Sequence, residues 1–153
     1  MGSSLENVSY EGHSASKYGQ IVFVSINHRL NILGYCDLSE FGEEYANSGN
    51  AGTSDMVAAL QWVHDNIASF GGDPENVTIF GQSGGGMKVT ALIQTPAADG
   101  LFHKGLIMSG VQGGALFDCV GSGRKMGEML LEKAGVSSVK ELETMPYSQL
   151  AKA

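Results

Sequence analysis

The sequence predicts an α/β fold, in which a mostly parallel sheet is flanked by helices. Three short apolar runs, at residues 20–27, 77–80 and 105–108, have the length and content of strands buried on both faces. Longer segments with helical spacing of their apolar residues separate these runs. The order strand, helix, strand, helix, strand requires crossover connections, which favour right-handed units and a parallel sheet.

The first run, QIVFVSIN at residues 20–27, is nearly continuous in apolar and β-branched side chains, and it predicts a buried strand. A polar stretch rich in glycine and asparagine, residues 39–53, follows and is long for a loop. Thr53 or Ser54 is then expected to cap an amphipathic helix. The apolar stripe of that helix consists of Met56, Leu60, Val63 and Ile67. The sequence Gly-Gly-Asp-Pro at 71–74 ends it.

The second run, residues 77–80, leads directly into the glycine-rich sequence GQSGGG. A second helix is predicted from residue 84 to residue 95, where Pro96 stops it, and the third run follows. The carboxyl-terminal part differs from the rest, because it reads as helical and amphipathic. It comprises a helix over residues 124–134 and a shorter helix that Pro146 closes. Ser138 and Glu141 have the spacing of a capping box for that shorter helix.

Composition narrows the class of protein. The 153 residues suit one domain, and 42% apolar with 16% charged residues excludes intrinsic disorder. A net charge of −7 argues against a nucleic-acid-binding surface, which needs clustered lysine and arginine. No apolar run approaches the roughly 18 residues of a membrane span, and the first residues lack a signal-peptide pattern. We therefore expect no membrane partner and a cytoplasmic location.

The cysteines and histidines give no metal-ligand spacing. Cys36 and Cys119 lie far apart in the chain without a CxxC motif, so we expect packed free thiols. The alternative is a single disulfide in an exported protein. No histidine pairs at i, i+4 with another ligand type, so no metal site is expected.

The motif that carries chemistry is Gly81-Gln82-Ser83-Gly84-Gly85, which fits the G-x-S-x-G nucleophile elbow between a predicted strand and a predicted helix. Glycines are expected there because flanking side chains would collide with a strained turn. The turn exposes the serine hydroxyl and leaves the Gly84 N–H free to bind an oxyanion. The alternative is a glycine-rich turn or phosphate-binding nest. A P-loop is excluded, because Met87-Lys88-Val89 does not supply its Gly-Lys-Ser/Thr ending.

Several longer motifs resemble the type-B carboxylesterases, the cholinesterase-like branch of the α/β-hydrolases. The resemblance runs from about residue 2 to residue 110, and more loosely through the remainder. The motifs are NHRL (27–30), GNAG (49–52), AALQWV (58–63), NI (66–67), FGGDPENVT (70–78), LFH (101–103) and SG (109–110).

The resemblance implies a serine ester hydrolase that acts on a small-molecule carboxylic ester. Ser83 is then the nucleophile, the Gly84 N–H contributes to the oxyanion hole, and Ser109 matches a serine near the catalytic network. Members often carry glutamate and alanine beside the nucleophile, where this chain has Gln82 and Gly84. The acyl-enzyme route requires no cofactor.

The departures from the family pattern are as informative as the matches. The HGGG-type oxyanion motif is absent, and the family's acid and histidine come well after the elbow. The four histidines, His13, His28, His64 and His103, do not match the catalytic position. Asp55 and Asp73 match positions that look structural, a helix start and a turn.

These departures predict one partial α/β-hydrolase domain over residues 1–153. Residues 1–110 hold the sheet and the elbow, and residues 111–153 form a helical segment. Such a chain is expected to be inactive alone, and to self-associate or bind a complementing chain that supplies the acid and histidine. The alternative function is a non-catalytic binding member of the same fold.

Overall fold

The computed structural model describes residues 11–110 and 122–152. The helices are α1 (His13–Gly19), α2 (Asn31–Tyr35), α3 (Ala51–Asn66), α4 (Gly84–Ile93), α5 (Ser122–Ala134), α6 (Val139–Thr144) and α7 (Tyr147–Leu150). The strands are β1 (Thr78–Gln82) and β2 (Lys104–Met108). Short 3-10 turns occupy Ser39–Phe41, Glu43–Tyr45, Ser48–Asn50, Ile67–Phe70 and Pro96–Ala98. Contacts divide the described chain into two compact units, residues 11–28 with 53–110 and residues 29–52 with 122–152.

The first unit is built on a strand–helix–strand element. β1 and β2 pair in parallel, with Thr78 opposite Lys104 at one end and Gln82 opposite Met108 at the other. α4 connects the two strands and packs on them. This confirms the predicted parallel α/β arrangement and the second and third predicted strands.

The core of the first unit lies between α3 and α4. The predicted apolar stripe is buried along its whole length: Met56, Leu60 and Val63 lie on α3, and Ile67 begins the 3-10 turn that follows it. The central cluster consists of Met56, Leu60, Leu92, Ala98 and Leu101. It joins α3 to the end of α4 and to the segment before β2, and so fixes the helix that follows the elbow.

The strand predicted for residues 20–27 is not formed, and this prediction is wrong. The segment contains no strand, and Ile21, Val24 and Ile26 are exposed rather than buried on both faces. β-Branched residues favour a strand, but a strand also requires a neighbouring backbone to complete its hydrogen bonds. Within the described residues, β1 and β2 pair with each other and not with this segment.

The predicted caps of α3 are also wrong. Thr53 and Ser54 lie inside the helix, which begins at Ala51 directly after the 3-10 turn Ser48–Asn50. The Ala51 N–H donates to the Ser48 carbonyl, so the preceding turn satisfies one of the N–H groups that have no partner within the helix. The stretch predicted as a long loop is therefore largely a series of short turns that enters the helix.

The second unit contains the predicted short helix, α6, but its capping differs from the capping-box prediction. The Glu141 carboxylate accepts hydrogen bonds from the Ser138 hydroxyl at 2.8 Å, the Ser137 hydroxyl at 2.9 Å and the Ser137 N–H at 3.2 Å. In a capping box the serine oxygen accepts from a backbone N–H of the first turn, whereas here it donates to the carboxylate. These bonds lower the pKa of Glu141.

A second group of polar contacts joins α6 to the turn Glu43–Tyr45. The Tyr45 hydroxyl donates to the Glu143 carboxylate at 2.7 Å, and Lys140 Nζ lies 3.7 Å from Glu143 and 4.0 Å from Glu44. Ionisation of the phenol would remove the donor and place two negative charges together. The contact therefore raises the pKa of Tyr45 to about 12.

Cys36 is buried in the second unit and carries a free thiol, as the sequence predicts. Burial is the main cause that raises its pKa, and the neighbouring Asp37 adds to the shift. Cys119 lies outside the described residues. Across residues 11–110 and 122–152, none of the helices has the length and apolar content needed to cross a membrane.

Candidate active site

The predicted elbow forms a sharp turn between a strand and a helix. β1 ends at Gln82, α4 begins at Gly84, and Ser83 stands between them with φ 53° and ψ −117°. A positive φ is disfavoured for any residue with a Cβ, and such positions cost about 1–3 kcal/mol. Ser83 is exposed at this turn, so its side chain is accessible to a small molecule.

Two backbone hydrogen bonds hold the turn in place. The Ser83 N–H donates to the Met108 carbonyl at 2.8 Å, which ties the elbow to the end of β2. The Ser83 carbonyl accepts from the Met87 N–H at 3.0 Å and so starts the hydrogen bonding of α4. The strained residue is thus fixed by the strand beside it and by the helix after it.

The glycines around Ser83 are not equivalent. A Cβ placed on Gly81 would lie 2.3 Å from the carbonyl carbon of Gly85, a distance that real Cβ contacts do not show. A Cβ on Gly84 or Gly85 would meet no described atom within 4 Å. The expectation that side chains at either flank collide is therefore correct at Gly81 and wrong at Gly85, since the helix turns away after Ser83.

A second close approach, which no sequence pattern predicts, supports the same turn. A Cβ on Gly110 would lie 2.4 Å from the backbone of Gly86, and one on Gly86 would lie 2.9 Å from the Gly110 Cα. α4 and the chain after β2 therefore meet backbone to backbone. A single sequence shows both glycines but does not show that they touch.

Gly84 occupies the first position of α4. The first four N–H groups of an α-helix have no carbonyl partner within the helix, and they lie at the positive end of its dipole. The Gly84 N–H is therefore available to bind a negatively charged oxygen beside the Ser83 hydroxyl. The role of this N–H in an oxyanion hole remains a prediction.

Ser109 lies on the same edge of the sheet as Ser83. It follows β2 directly, and the parallel register places the ends of β1 and β2, Gln82 and Met108, side by side. Ser109 is exposed and also has a positive φ, 54°. Both strand ends therefore present a serine held in a disfavoured backbone conformation, which suits a supporting role for Ser109 near the elbow.

The histidine that follows the elbow in the chain lies at the other end of the strands. His103 precedes β2, and its Nδ1 accepts from the N–H of Val77, the residue before β1, at 3.2 Å. Five-residue strands are about 16 Å long, so His103 is separated from Ser83 by roughly that length.

The remaining histidines are no better placed to activate Ser83. His64 Nδ1 lies 3.0 Å from the Asp65 carboxylate on α3, and His13 lies on α1. The Asp73 carboxylate accepts from the Glu75 N–H at 2.9 Å, as a turn residue does. No histidine forms a hydrogen bond with Ser83 in the described ranges, and the same residues contain no group of three or more metal-ligating side chains.

His28 has an unusual environment, because it is partly buried and close enough to Lys88 on α4 to be affected by its charge. Its Nε2 is buried and has no hydrogen-bond partner among residues 11–110 and 122–152. Burial lowers its pKa, Lys88 on α4 lowers it further, and Asp55 on α3 opposes the shift.

This geometry predicts a loss of stability in mild acid. The unfolded chain takes up a proton on His28 near pH 6.5, whereas the folded chain resists it, so the contribution to stability is present above pH 6.5 and falls below it. The slope for one group is at most about 1.4 kcal/mol per pH unit. Urea unfolding between pH 7.5 and 5 measures it. His28→Phe and His28→Gln should both flatten the profile, and a slope unchanged in both variants would exclude this origin.

Comparison with known proteins adds an independent finding. The family model described as "Carboxylesterase family" matches residues 1–149. The chain is 48% identical over 101 residues to the para-nitrobenzyl esterase of Bacillus subtilis strain 168, covering 66% of this chain and 20% of that protein. It is 47% identical over 103 residues to human carboxylesterase 3, covering 67% of this chain and 17% of that protein.

Solved structures agree with these sequence matches. An esterase from Clostridium hathewayi, described as able to hydrolyse aliphatic aromatic polyesters, superposes with a TM-score of 0.88 and 57% identity over 99% of this chain and 30% of its own. A carboxylesterase of Geobacillus stearothermophilus superposes with a TM-score of 0.86 and 39% identity, over 98% of this chain and 32% of its own. The chain spans about a fifth of the length of the curated relatives it matches.

Proposed function

The chain belongs to the carboxylesterase family of the α/β-hydrolase fold, and on that basis we propose that it carries the nucleophile of a serine ester hydrolase at Ser83. The observation that carries the proposal is the exposed Ser83 at the strained turn between β1 and α4, with φ 53°. A non-glycine residue held in this conformation is typical of functional sites.

The proposed mechanism uses two groups of this chain. The Ser83 hydroxyl loses its proton to a general base as its oxygen attacks the ester carbonyl, and the carbonyl oxygen becomes an oxyanion. The Gly84 N–H donates to that oxyanion. The alcohol then leaves with a proton, and water later hydrolyses the acyl-serine to give the carboxylic acid. A small-molecule carboxylic ester is the substrate class that this chemistry requires.

The general base and its acid partner are proposed to come from polypeptide outside these 153 residues. Three observations support this. His103 bonds at the far end of the strands, His64 bonds to Asp65, and burial disfavours the charged form of His28. The HGGG-type loop of the family has no match in the sequence either. Serine without a general base is a poor nucleophile at neutral pH, so the isolated chain should not turn over esters.

A segment exchange tests the proposal. The matched stretch of the Clostridium hathewayi esterase is replaced by this chain, which is 57% identical to it over 99% of its own length. The chimera should hydrolyse p-nitrophenyl butyrate, whereas the host without the stretch and the isolated chain should not. A folded chimera that lacks esterase activity would reject the nucleophile assignment. Turnover by the isolated chain that disappears in Ser83→Ala would reject the external base.

A further inference from the structure

The second unit contains a cavity of about 310 Å³, with walls from α2 and α5. It is lined by Asn31, Ile32, Tyr35, Cys36 and Met126. Small-molecule sites in proteins have volumes from about 300 Å³ upward, and they are mostly apolar with a few polar groups. The cavity has that size and that composition, and none of its lining residues belongs to the elbow.

α2 supplies most of the wall, because its lining residues are neighbours on one face of the helix. Asn31 and Tyr35 are four residues apart, and so are Ile32 and Cys36, which follows the end of the helix. Side chains at this spacing lie one above the other. Asn31 and Tyr35 are exposed, whereas Cys36 is only 3% exposed. The polar groups therefore lie at the entrance of the cavity, and the thiol lies at its floor.

Two close contacts fix the walls in place. A Cβ on Gly52 would lie 2.6 Å from Cζ of Tyr35, so the tyrosine ring packs directly on that backbone. Gly127 follows Met126 on α5 and is buried, and a Cβ there would lie 2.9 Å from the Leu38 side chain. The walls are thus positioned by packing before a ligand binds, which lowers the entropic cost of binding.

The cavity favours an uncharged ligand. Its lining side chains, within the ranges that the structure describes, include no acidic or basic group. Burial raises the pKa of the Cys36 thiol, and the neighbouring Asp37 raises it further, so the thiol stays protonated at neutral pH. An ionised group is costly to bury unless it is paired, and Asp37 would also repel an anion.

The lining chemistry favours an aromatic ring. Met126 and Cys36 bring sulfur atoms, which contact aromatic rings favourably, and the Tyr35 ring can pack edge-on or offset against another ring. A cavity of about 150 Å³ can hold benzene, so this larger one has room for a ring with a substituent.

Two polar groups are available to bind the substituent. The side chains of Asn31 and Tyr35 form no hydrogen bond with any residue that the structure describes. A side-chain amide offers both a donor and an acceptor, and a carboxamide on the ligand offers the same two groups in return. The Asn31 side chain is therefore complementary to a carboxamide substituent.

We propose that this cavity is a binding site for an uncharged, single-ring aromatic carboxamide. The ring lies against Tyr35 and Met126 over the Cys36 thiol, and the carboxamide bonds to the Asn31 side chain. This site is separate from the proposed function, because it uses neither Ser83 nor the Gly84 N–H.

Titration of the 153-residue protein with benzamide tests the proposal. The methionine methyl groups are labelled with ¹³C, and Met126→Leu assigns the Met126 signal. We expect this signal to shift and to saturate with a Kd of about 0.1–1 mM, as suits a ligand of about nine heavy atoms. The signal of Met56, in the core of the first unit, should not move.

Two molecules of the same size are the ligand controls. Benzoate replaces the carboxamide by a charged group, and cyclohexanecarboxamide keeps the amide but has no aromatic ring. Each should bind about tenfold more weakly than benzamide, since one loses charge neutrality and the other loses the ring contacts.

Substitutions locate the binding. Tyr35→Ala removes the aromatic wall, and Asn31→Gly removes the amide while glycine accepts the positive φ of 52° at that position. Each should weaken benzamide binding about tenfold, because each removes one of the two main contacts. Tyr147→Ala, at a 69% exposed tyrosine that does not line the cavity, is the matched control and should bind as wild type does.

Three results would overturn the proposal: no saturable shift of the Met126 signal, benzoate binding as tightly as benzamide, or an affinity that neither Tyr35→Ala nor Asn31→Gly changes. Circular dichroism checks that each variant is folded, and Asn31→Gly serves if Tyr35→Ala is not.

Discussion

Replacing Gly81 by alanine is expected to destabilise the chain severely. The new Cβ would stand 2.3 Å from the carbonyl carbon and 2.4 Å from the carbonyl oxygen of Gly85, so the backbone of β1 or the first turn of α4 must move. Neither is a flexible side-chain end that can rotate away. Overpacking of this kind costs about 1–3 kcal/mol and can cost more against backbone, a large fraction of the 5–15 kcal/mol typical of a folded domain.

Gly84→Ala is the matched control for this change. It adds the same methyl group three residues later, where no described atom lies within 4 Å and φ is not positive. Alanine also restricts the unfolded chain more than glycine does, so we expect stability equal to wild type or up to about 1 kcal/mol higher. Urea unfolding of both variants measures the difference. Equal destabilisation by the two substitutions would contradict the close approach at Gly81.

Ser83→Ala is expected to have the largest effect on activity. In the segment-exchange chimera it should lower kcat by about 10⁴- to 10⁶-fold, because no oxygen remains to form the acyl-enzyme. Alanine keeps a Cβ at the same positive φ, so the strain of the turn and the stability of the fold should stay close to wild type. A measurement of kcat then reports the loss of chemistry, and an unfolding curve of the same variant checks that the fold is unchanged.

Ser109→Ala provides the comparison for that result. Ser109 has a similar positive φ at the end of the neighbouring strand, 54° against 53°, and it also lies exposed. A supporting residue contributes less than the nucleophile, so we expect a loss of kcat of about tenfold or less. Equal losses for the Ser83 and Ser109 variants would contradict the assignment of the nucleophile to Ser83 alone.

The elements around the elbow could be predicted because local sequence and tertiary packing agree there. The apolar stripe of α3 has helical spacing and is buried, and the runs that became β1 and β2 lie on either side of α4. The position of Ser83 followed from a short motif with strict backbone requirements. The structure shows two of those requirements, because Ser83 has a positive φ and residue 81 has no space for a Cβ.

The sequence-based predictions fail where the local structure depends on contacts that the pattern of residues along the chain does not show. Residues 20–27 have strand composition, but strand formation needs a hydrogen-bonded neighbour, and the described residues supply none. Thr53 is a good cap by type, yet α3 begins two residues earlier, at Ala51, whose N–H bonds to a carbonyl of the preceding turn Ser48–Asn50. The Gly86–Gly110 contact joins residues that are distant in the chain. The first and the last case depend on a neighbour in space, and the second depends on the turn that precedes the helix.

Covalent labelling of the chimera tests the central claim most directly. A fluorophosphonate reacts with an activated serine hydroxyl, which displaces fluoride and forms a phosphonyl ester on the oxygen. Peptide mass spectrometry should find this mass on Ser83 and should find none in Ser83→Ala. The isolated 153-residue chain should react far more slowly, because it lacks a base beside Ser83. An adduct on another serine, with Ser83 unmodified, would contradict the account.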